Sequence, residues 1–244
     1  MGLHSFREYD REILEEGLGA DVNVVIAIDG PAGSGKGTLA RQLAKRFGYT
    51  YLDTGALYRA VALALLEANG SVKNERDLEV ALNTIKKNLT PELLKSNLLR
   101  TEDVSQMASK VAAEPFVRKA LFDIQRDFAA NPPNGAAGAV LDGRDIGSVV
   151  YPHADIKIFV TASPEVRAER RYKELQLTGT SVDYDVVLAE IVERDERDKN
   201  REASPMVVAE DAFVLDTSSL DAPEAFSHAM DIIRAQFIDA TDEK

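Results

Sequence analysis

Residues 30–38 read Gly-Pro-Ala-Gly-Ser-Gly-Lys-Gly-Thr and follow the apolar run Val24-Val25-Ile26-Ala27-Ile28-Asp29. This order of residue types binds phosphate. Gly30, Gly33 and Gly35 let backbone N–H groups turn toward an anion without Cβ clashes. A helix opening at Lys36-Gly37-Thr38 adds unpaired N–H groups and the positive end of a dipole. Lys36 can reach the β- and γ-phosphates of a nucleotide as a point charge. With Pro31, Ala32 and Ser34 the loop offers nine consecutive candidate contacts to a donor nucleotide. The G-x-x-x-x-G-K spacing, preceded by a strand and followed by a helix, separates it from a glycine-rich surface turn. One departure stands out: Gly37 occupies the usual place of the metal-contacting Ser/Thr, and Thr38 comes one residue later. How Thr38 would meet Mg²⁺ is left open by spacing.

A donor needs an acceptor, and the net charge of −12 argues against general affinity for nucleic acid or anionic membranes. An anionic acceptor must therefore be met by a local cluster of arginines. Arg59 ends the stretch Leu52-Asp53-Thr54-Gly55-Ala56-Leu57-Tyr58-Arg59. Arg144 lies in Leu141-Asp142-Gly143-Arg144-Asp145, at the carboxyl end of an expected strand, the edge where ligands collect in open α/β sheets. Asp142 can help hold Mg²⁺ through water, or Asp142-Gly143 can be a plain tight turn. Arg194, Asp198 and Arg201 share one face of an expected helix, spanning about 10 Å, with Arg197 partly on it. Either that face meets a mononucleotide, or it is exposed and paired with Glu193, Asp195 and Glu196. Arg167, Arg170 and Arg171 form a third set, read either as a lid over the transferring phosphates or as a solvated helix surface.

The elements that must position these groups follow from periodicity. Strands are expected over 24–29, 49–53, 137–142, 156–161 and 212–216. Helices are expected over 36–47, ended by Gly48, and 55–67, capped by Thr54. Others fall at about 103–112, 115–129, from Pro164 with Ser163 as cap, 183–202 and 222–240. Strands alternating with helices favour a parallel α/β sheet. Residues 71–105 are charged, contain Thr90-Pro91 and lack strand alternation, which marks a small inserted helical lobe. Residues 1–21 read as a flexible extension, with a short helix around 9–16, ahead of one domain over 22–244.

Composition removes several chemistries. There is no cysteine, hence no thiol nucleophile, disulfide or cysteine metal site. His4, His153 and His228 lack ligand spacing. No stretch reaches the roughly 18 apolar residues of a membrane helix, and the start of the chain lacks signal-peptide regions. The expectation is a cytoplasmic monomer acting on small molecules, with neither nucleic acid nor membrane as partner.

Gly-Lys-Gly-Thr is how nucleoside monophosphate kinases write this loop. More particularly, Gly30–Thr38, Leu52–Arg59, Ser109-Lys110-Val111-Ala112-Ala113, Asp142-Gly143-Arg144-Asp145 and Glu193–Arg201 resemble, in order, the motifs of bacterial cytidylate kinases. The resemblance runs from about Val24 to the C-terminus. It implies a P-loop three-layer fold with a central five-stranded parallel sheet of order 2-3-1-4-5, a small acceptor-binding insert at 71–105 and a lid at about 167–182. It implies phosphoryl transfer from ATP to CMP or dCMP with Mg²⁺. Arg59, Arg144 and Arg201 would hold the acceptor phosphate, with Tyr58, Thr54 and Asp142 beside it. Ser109, Arg118 and Asp145 would read the cytosine, Arg194 and Asp198 would face the sugar, and Arg170 would belong to the lid. The physics agrees with that implication: cytosine offers an amino donor and two acceptors, which a carboxylate and a guanidinium match. Two rival readings stand beside it. One is a kinase for another small acceptor, such as shikimate or dephospho-coenzyme A. The other is a non-catalytic ATP-sensing module, which would have no need of a second anion site.

Overall fold

In the computed structural model, residues 23–177, 179 and 181–242 are described, the last six through their backbone alone. The expected extension over 1–21, with its helix at 9–16, lies outside the described residues. Five parallel strands form the sheet: β1 (Val24–Asp29), β2 (Thr50–Asp53), β3 (Gly138–Asp142), β4 (Ile156–Thr161) and β5 (Phe213–Asp216), in the order β2-β3-β1-β4-β5. Every residue of β1 is buried, as a strand covered on both faces requires.

The twofold alternation of β1 and β3 divides the core in two. Val25, Ala27, Ala139 and Leu141 face one apolar cluster, built with α2 (Thr54–Glu67), α3 (Glu75–Asn88), α5 (Glu102–Val111) and α6 (Pro115–Ala130). Val24, Ile26, Ile28 and Val140 face the other, built with α1 (Lys36–Phe47) and α9 (Ala222–Asp242). The result is helix, sheet and helix in three layers. The 71–105 segment is helical as its composition suggests: α3, a short α4 (Pro91–Lys95) and a 3₁₀ turn over Asn97–Arg100. Leu78, Ala81, Leu82 and Ile85 of α3 are buried in the first cluster. The insert is thereby packed onto α2, the helix that carries Arg59.

α7 (Pro164–Leu177) and α8 (Tyr184–Asn200) form a hairpin with a small core of its own, Ala168, Val187 and Ile191. Ser163 does open α7, its Oγ accepting from Val166 N at 3.3 Å. The start of α2 differs from expectation. Asp53, not Thr54, is the cap: its Oδ1 accepts from Ala56 N at 3.1 Å. The Thr54 hydroxyl is drawn away because it donates to Asp142 O at 2.7 Å, pinning α2 to the end of β3.

Strand register sets the working edge. Asp53 pairs with Asp142, and Asp142 with Ile28. The carboxyl ends of β2, β3 and β1 thus stand level beside the glycine-rich loop, and the arginine-bearing elements are hung around them.

Candidate active site

The loop after β1 closes as its glycines predict. Gly30 has φ 144°, and a Cβ there would stand 1.9 Å from Val160 O. No side chain therefore fits where the loop leaves the sheet. α1 begins after Gly35 without any side-chain cap, so its end presents backbone N–H groups to a ligand. Gly33, Ser34, Gly35 and Thr38 line a cleft of about 450 Å³, with Arg170 and Thr217 on its far wall. Lys36 Nζ donates to Pro31 O at 3.3 Å. Burial, with Arg144 nearby, disfavours its ammonium form and pushes its pKa down to about 7.

The departure at Gly37 has a steric cause. A Cβ there would come within 2.8 Å of Asp142 Oδ2. That carboxylate is fixed by Tyr51, whose hydroxyl donates to Oδ2 at 3.2 Å. The room that a serine side chain would take is held by an acidic group. Burial, followed by the neighbouring Asp53, raises the Asp142 pKa to about 6.

Beside the first cleft lies a second, of about 220 Å³, with Lys36 and Arg194 in its lining. The structure brings Arg59, Arg144 and Arg201 to it, along with Thr54, Tyr58 and Asp142. Ser109, Arg118, Asp145 and Asp198 line the same cleft. Each arginine is held by a carboxylate. Arg59 Nη2 donates to Asp53 Oδ2 at 2.6 Å, and Arg144 Nε to Asp198 Oδ2 at 2.9 Å. Asp145 lies between two guanidiniums: Arg118 Nη2 donates to Oδ2, and Arg201 Nη2 to Oδ1 at 3.1 Å. Arg118, only 2% exposed, sits 5.6 Å from the Tyr58 ring centroid and 5.3 Å from that of Phe122. Ser109 Oγ receives Arg197 Nη1 at 2.9 Å and faces Asp198 Oδ1 at 3.5 Å.

Charge is dense enough here to shift most groups. Burial lowers the Arg194 pKa to about 10, reinforced by Arg144. Burial and Arg118 lower that of Arg201. Asp145 is raised because its burial outweighs Arg118 and Arg201. Asp198 goes the other way: burial opposes ionisation, but Arg144 and Arg194 overcome it. A pocket with six guanidiniums around a small volume, Arg41 among them, is suited to a phosphate-bearing ligand.

The third arginine set divides into separate tasks. Arg167 is 2% exposed and donates to Asp195 Oδ1 at 3.0 Å, Ala162 O at 2.9 Å and Ala32 O at 3.2 Å. It braces the glycine-rich loop instead of joining a mobile arginine patch. Arg170 donates to Thr217 Oγ1 at 3.1 Å and Thr217 O at 2.6 Å, at the wall of the first cleft. Arg171 pairs with Glu102 at 2.8 Å, across to α5. On α8, Arg197 pairs with Glu193 and reaches Ser109, while Arg194, Asp198 and, just past the helix end, Arg201 line the second cleft.

Sequence reasoning missed several groups. Asp53 stood inside a motif, but its partner Arg59 did not reveal itself as one. Tyr51, Thr217 and Asp195 gave no local signal. Asp29 did: a carboxylate ending a wholly apolar strand is a buried charge in need of partners.

A glycine-rich loop of the phosphate-binding kind facing a second, arginine-lined cleft, across the carboxyl edge of a 2-3-1-4-5 parallel sheet, defines a P-loop nucleotide kinase. The family profile described as cytidylate kinase matches residues 26–235. A protein named cytidylate kinase from Paramagnetospirillum magneticum is 55% identical over 212 residues, 87% of this chain and 98% of that one. Another of that name from Rhodospirillum rubrum is 53% identical over 210 residues, 86% of this chain and 97% of its own. The chain belongs to the cytidylate kinase family.

Proposed function

We propose that this enzyme transfers the γ-phosphoryl group of ATP to CMP or dCMP, giving ADP and CDP or dCDP. The observation that carries the reading is the convergence of Arg59, Arg144 and Arg201 on one small cleft, beside Lys36 and next to the Arg118–Asp145 pair. Phosphoryl transfer asks a protein mainly for in-line positioning and neutralised charge. An oxygen of the acceptor phosphate attacks the γ-phosphorus while the bond to the β-γ bridging oxygen breaks. That acceptor oxygen is an adequate nucleophile, so no general base is needed.

In this reading residues 30–38 hold the donor phosphates, with Lys36 moving its charge from Pro31 O to the β/γ oxygens. Arg59, Arg144 and Arg201 hold the acceptor phosphate, with Tyr58 and Thr54 in the adjoining wall. Asp145 accepts from the cytosine amino group, and Arg118 and Ser109 address the ring acceptors. Arg194 and Asp198 face the sugar. In the lid region of about 167–182 Arg170 closes over the donor while Arg167 stays fixed to Asp195, and closure excludes water that would hydrolyse ATP. Mg²⁺, when bound with the nucleotide, supplies further neutralisation of phosphate charge. The donor set present suits it: Thr38 lines the donor cleft, its Oγ1 accepting from Arg41 Nη2 at 3.4 Å, and the Asp142 carboxylate abuts Gly37. Both are oxygen ligands of the kind Mg²⁺ takes alongside phosphate and water.

The proposed unit of activity is a monomer, because this one chain supplies every group named at both clefts. The proposed setting is the cytoplasm. Among the described residues no helix is long and apolar enough to cross a membrane. The test is ADP release in the presence of ATP with CMP, dCMP, UMP, AMP or shikimate. CMP and dCMP should give the highest kcat/KM. Preference for AMP or shikimate, or ADP release independent of any acceptor, would refute the assignment.

A further inference from the structure

Asp29 ends β1 directly before Gly30, and nothing in the reaction above uses it. Its side chain is shut away at 6% residue exposure. Oδ1 accepts from Ile146 N and Oδ2 from Gly147 N, each at 2.8 Å. One residue earlier, Ile28 O accepts from Gly143 N at 2.9 Å. Three hydrogen bonds from the last two residues of β1 thus grip the 143–147 segment at both ends. The two residues suspended between the grips are Arg144 and Asp145.

The segment beyond them is unusual. Residues Ile146–Val150 form one turn of π-helix, with Val150 N donating to Asp145 O at 3.0 Å and Tyr151 N to Ile146 O at 2.7 Å. A π-turn is rare, and the leading N–H groups of any helix lack partners within it. Asp29 supplies two of them. Lys157 closes the other side of the joint: a Cβ on Gly147 would stand 3.1 Å from Lys157 Cδ and 3.5 Å from Asp29 Oδ2. An apolar side chain would fill the end of β1 without the desolvation penalty of a carboxylate. The carboxylate offers what an apolar group cannot, two acceptors at a fixed separation.

We infer that Asp29 is a positioning residue for the acceptor: it sets Arg144 and Asp145 against the phosphate-binding loop that starts at the very next residue. β1 then acts as the common ruler for both substrates, since donor loop and acceptor segment hang from its last two residues. The inference rests on the acceptor roles proposed above for Arg144 and Asp145.

The experiment is Asp29→Asn, with Gly147→Ala pressing on the same joint from the opposite side. The amide keeps one acceptor oxygen but turns an NH₂ toward a backbone N–H, so one of the two bonds is lost. KM for CMP should rise about tenfold, the worth of one buried hydrogen bond, while KM for ATP stays within about twofold. The ratio of kcat/KM for CMP over UMP should fall, and Gly147→Ala should move the same parameters in the same direction. A lower Tm with unchanged KM for CMP and an unchanged ratio would overturn the inference, because Asp29 would then only hold the fold. An equal rise in both KM values would overturn it as well, since the disturbance would belong to β1 and the loop together. Should Asp29→Asn fail to fold, Gly147→Ala decides by the same criteria. Failure of the functional reading shows separately, in the parent enzyme, as no CMP-dependent turnover.

Discussion

Replacing Asp145 by asparagine separates the two duties proposed for that carboxylate. Its oxygens serve Arg118 and Arg201, both buried. Asparagine keeps one acceptor oxygen and turns an NH₂ group toward a guanidinium, so donor faces donor and one buried cation loses its counter-charge. Breaking a buried pair by removing one partner costs about 3–5 kcal/mol. With one hydrogen bond retained, the lower figure applies. For a chain of this size about 3 kcal/mol corresponds to a Tm lower by roughly 6–12 °C. The second duty concerns the base. A carboxylate can only accept, which suits the cytosine amino group and repels the uracil carbonyl. Asparagine can present either its oxygen or its NH₂, so it tolerates both bases. A hydrogen bond to a charged group contributes about 2 kcal/mol, or roughly 30-fold in kcat/KM. The ratio of kcat/KM for CMP over UMP should therefore fall by about that factor, measured in a coupled ADP-release assay well below the lowered Tm. An unchanged ratio in a folded variant would refute the base-reading role. An unchanged Tm would refute the claim that Asp145 neutralises the buried arginines.

Three further outcomes are expected. Lys36→Ala should lower kcat by roughly 10² or more, as loss of one electrostatic stabiliser does; near-normal turnover would remove Lys36 from the mechanism. Gly37→Ser restores the commoner loop residue, yet its Cβ would meet Asp142 Oδ2 at 2.8 Å. It should cost about 1–3 kcal/mol of stability and reduce kcat, and a fully stable, fully active variant would show that Asp142 yields freely. Asp29 also predicts a pH effect. Burial raises its pKa from 3.8 to about 7, against the two N–H donors, with Asp145 adding to the rise and Arg144 opposing it. The folded protein then holds a proton that the unfolded chain has released, so this group's contribution is fully present below pH 3.8 and is lost as pH rises through about 7. The slope from one such proton is about 1.4 kcal/mol per pH unit. Urea unfolding at several pH values should show the difference between parent and Asp29→Asn changing in that window; a constant difference would contradict it.

The network also explains how the folded chain tolerates a cleft this cationic. Asp53, Asp145 and Asp198 pair with Arg59, Arg118, Arg144 and Arg201 and offset much of their charge. Buried guanidiniums without such partners would be severely destabilising. These carboxylates also aim the guanidiniums into the cleft, where the proposed acceptor phosphate would compete for them.

The chain's own letters determined the phosphate-binding loop, the five strands and their flanking helices to within a residue or two, and the arginine-bearing motifs. These are local properties. Gly30 is demanded by a left-handed backbone, and the alternation of Val24 to Ile28 sorts side chains onto two faces whatever lies above them. Tertiary structure alone decided which charged groups meet. Spacing leaves both readings of α8 open, because a helical face says nothing about what covers it; the packed chain puts Arg194, Asp198 and the capping Arg201 in the cleft and pairs Arg197 with Glu193 and Ser109. Asp53 displaced Thr54 as cap because Thr54 found a carbonyl 88 residues away. Arg167 was taken from the lid set by Asp195, and Asp29 found its donors 117 and 118 residues downstream. A buried charge accepts whichever partner the packed chain brings within about 3 Å, and that choice is made by long-range register, which no local pattern encodes.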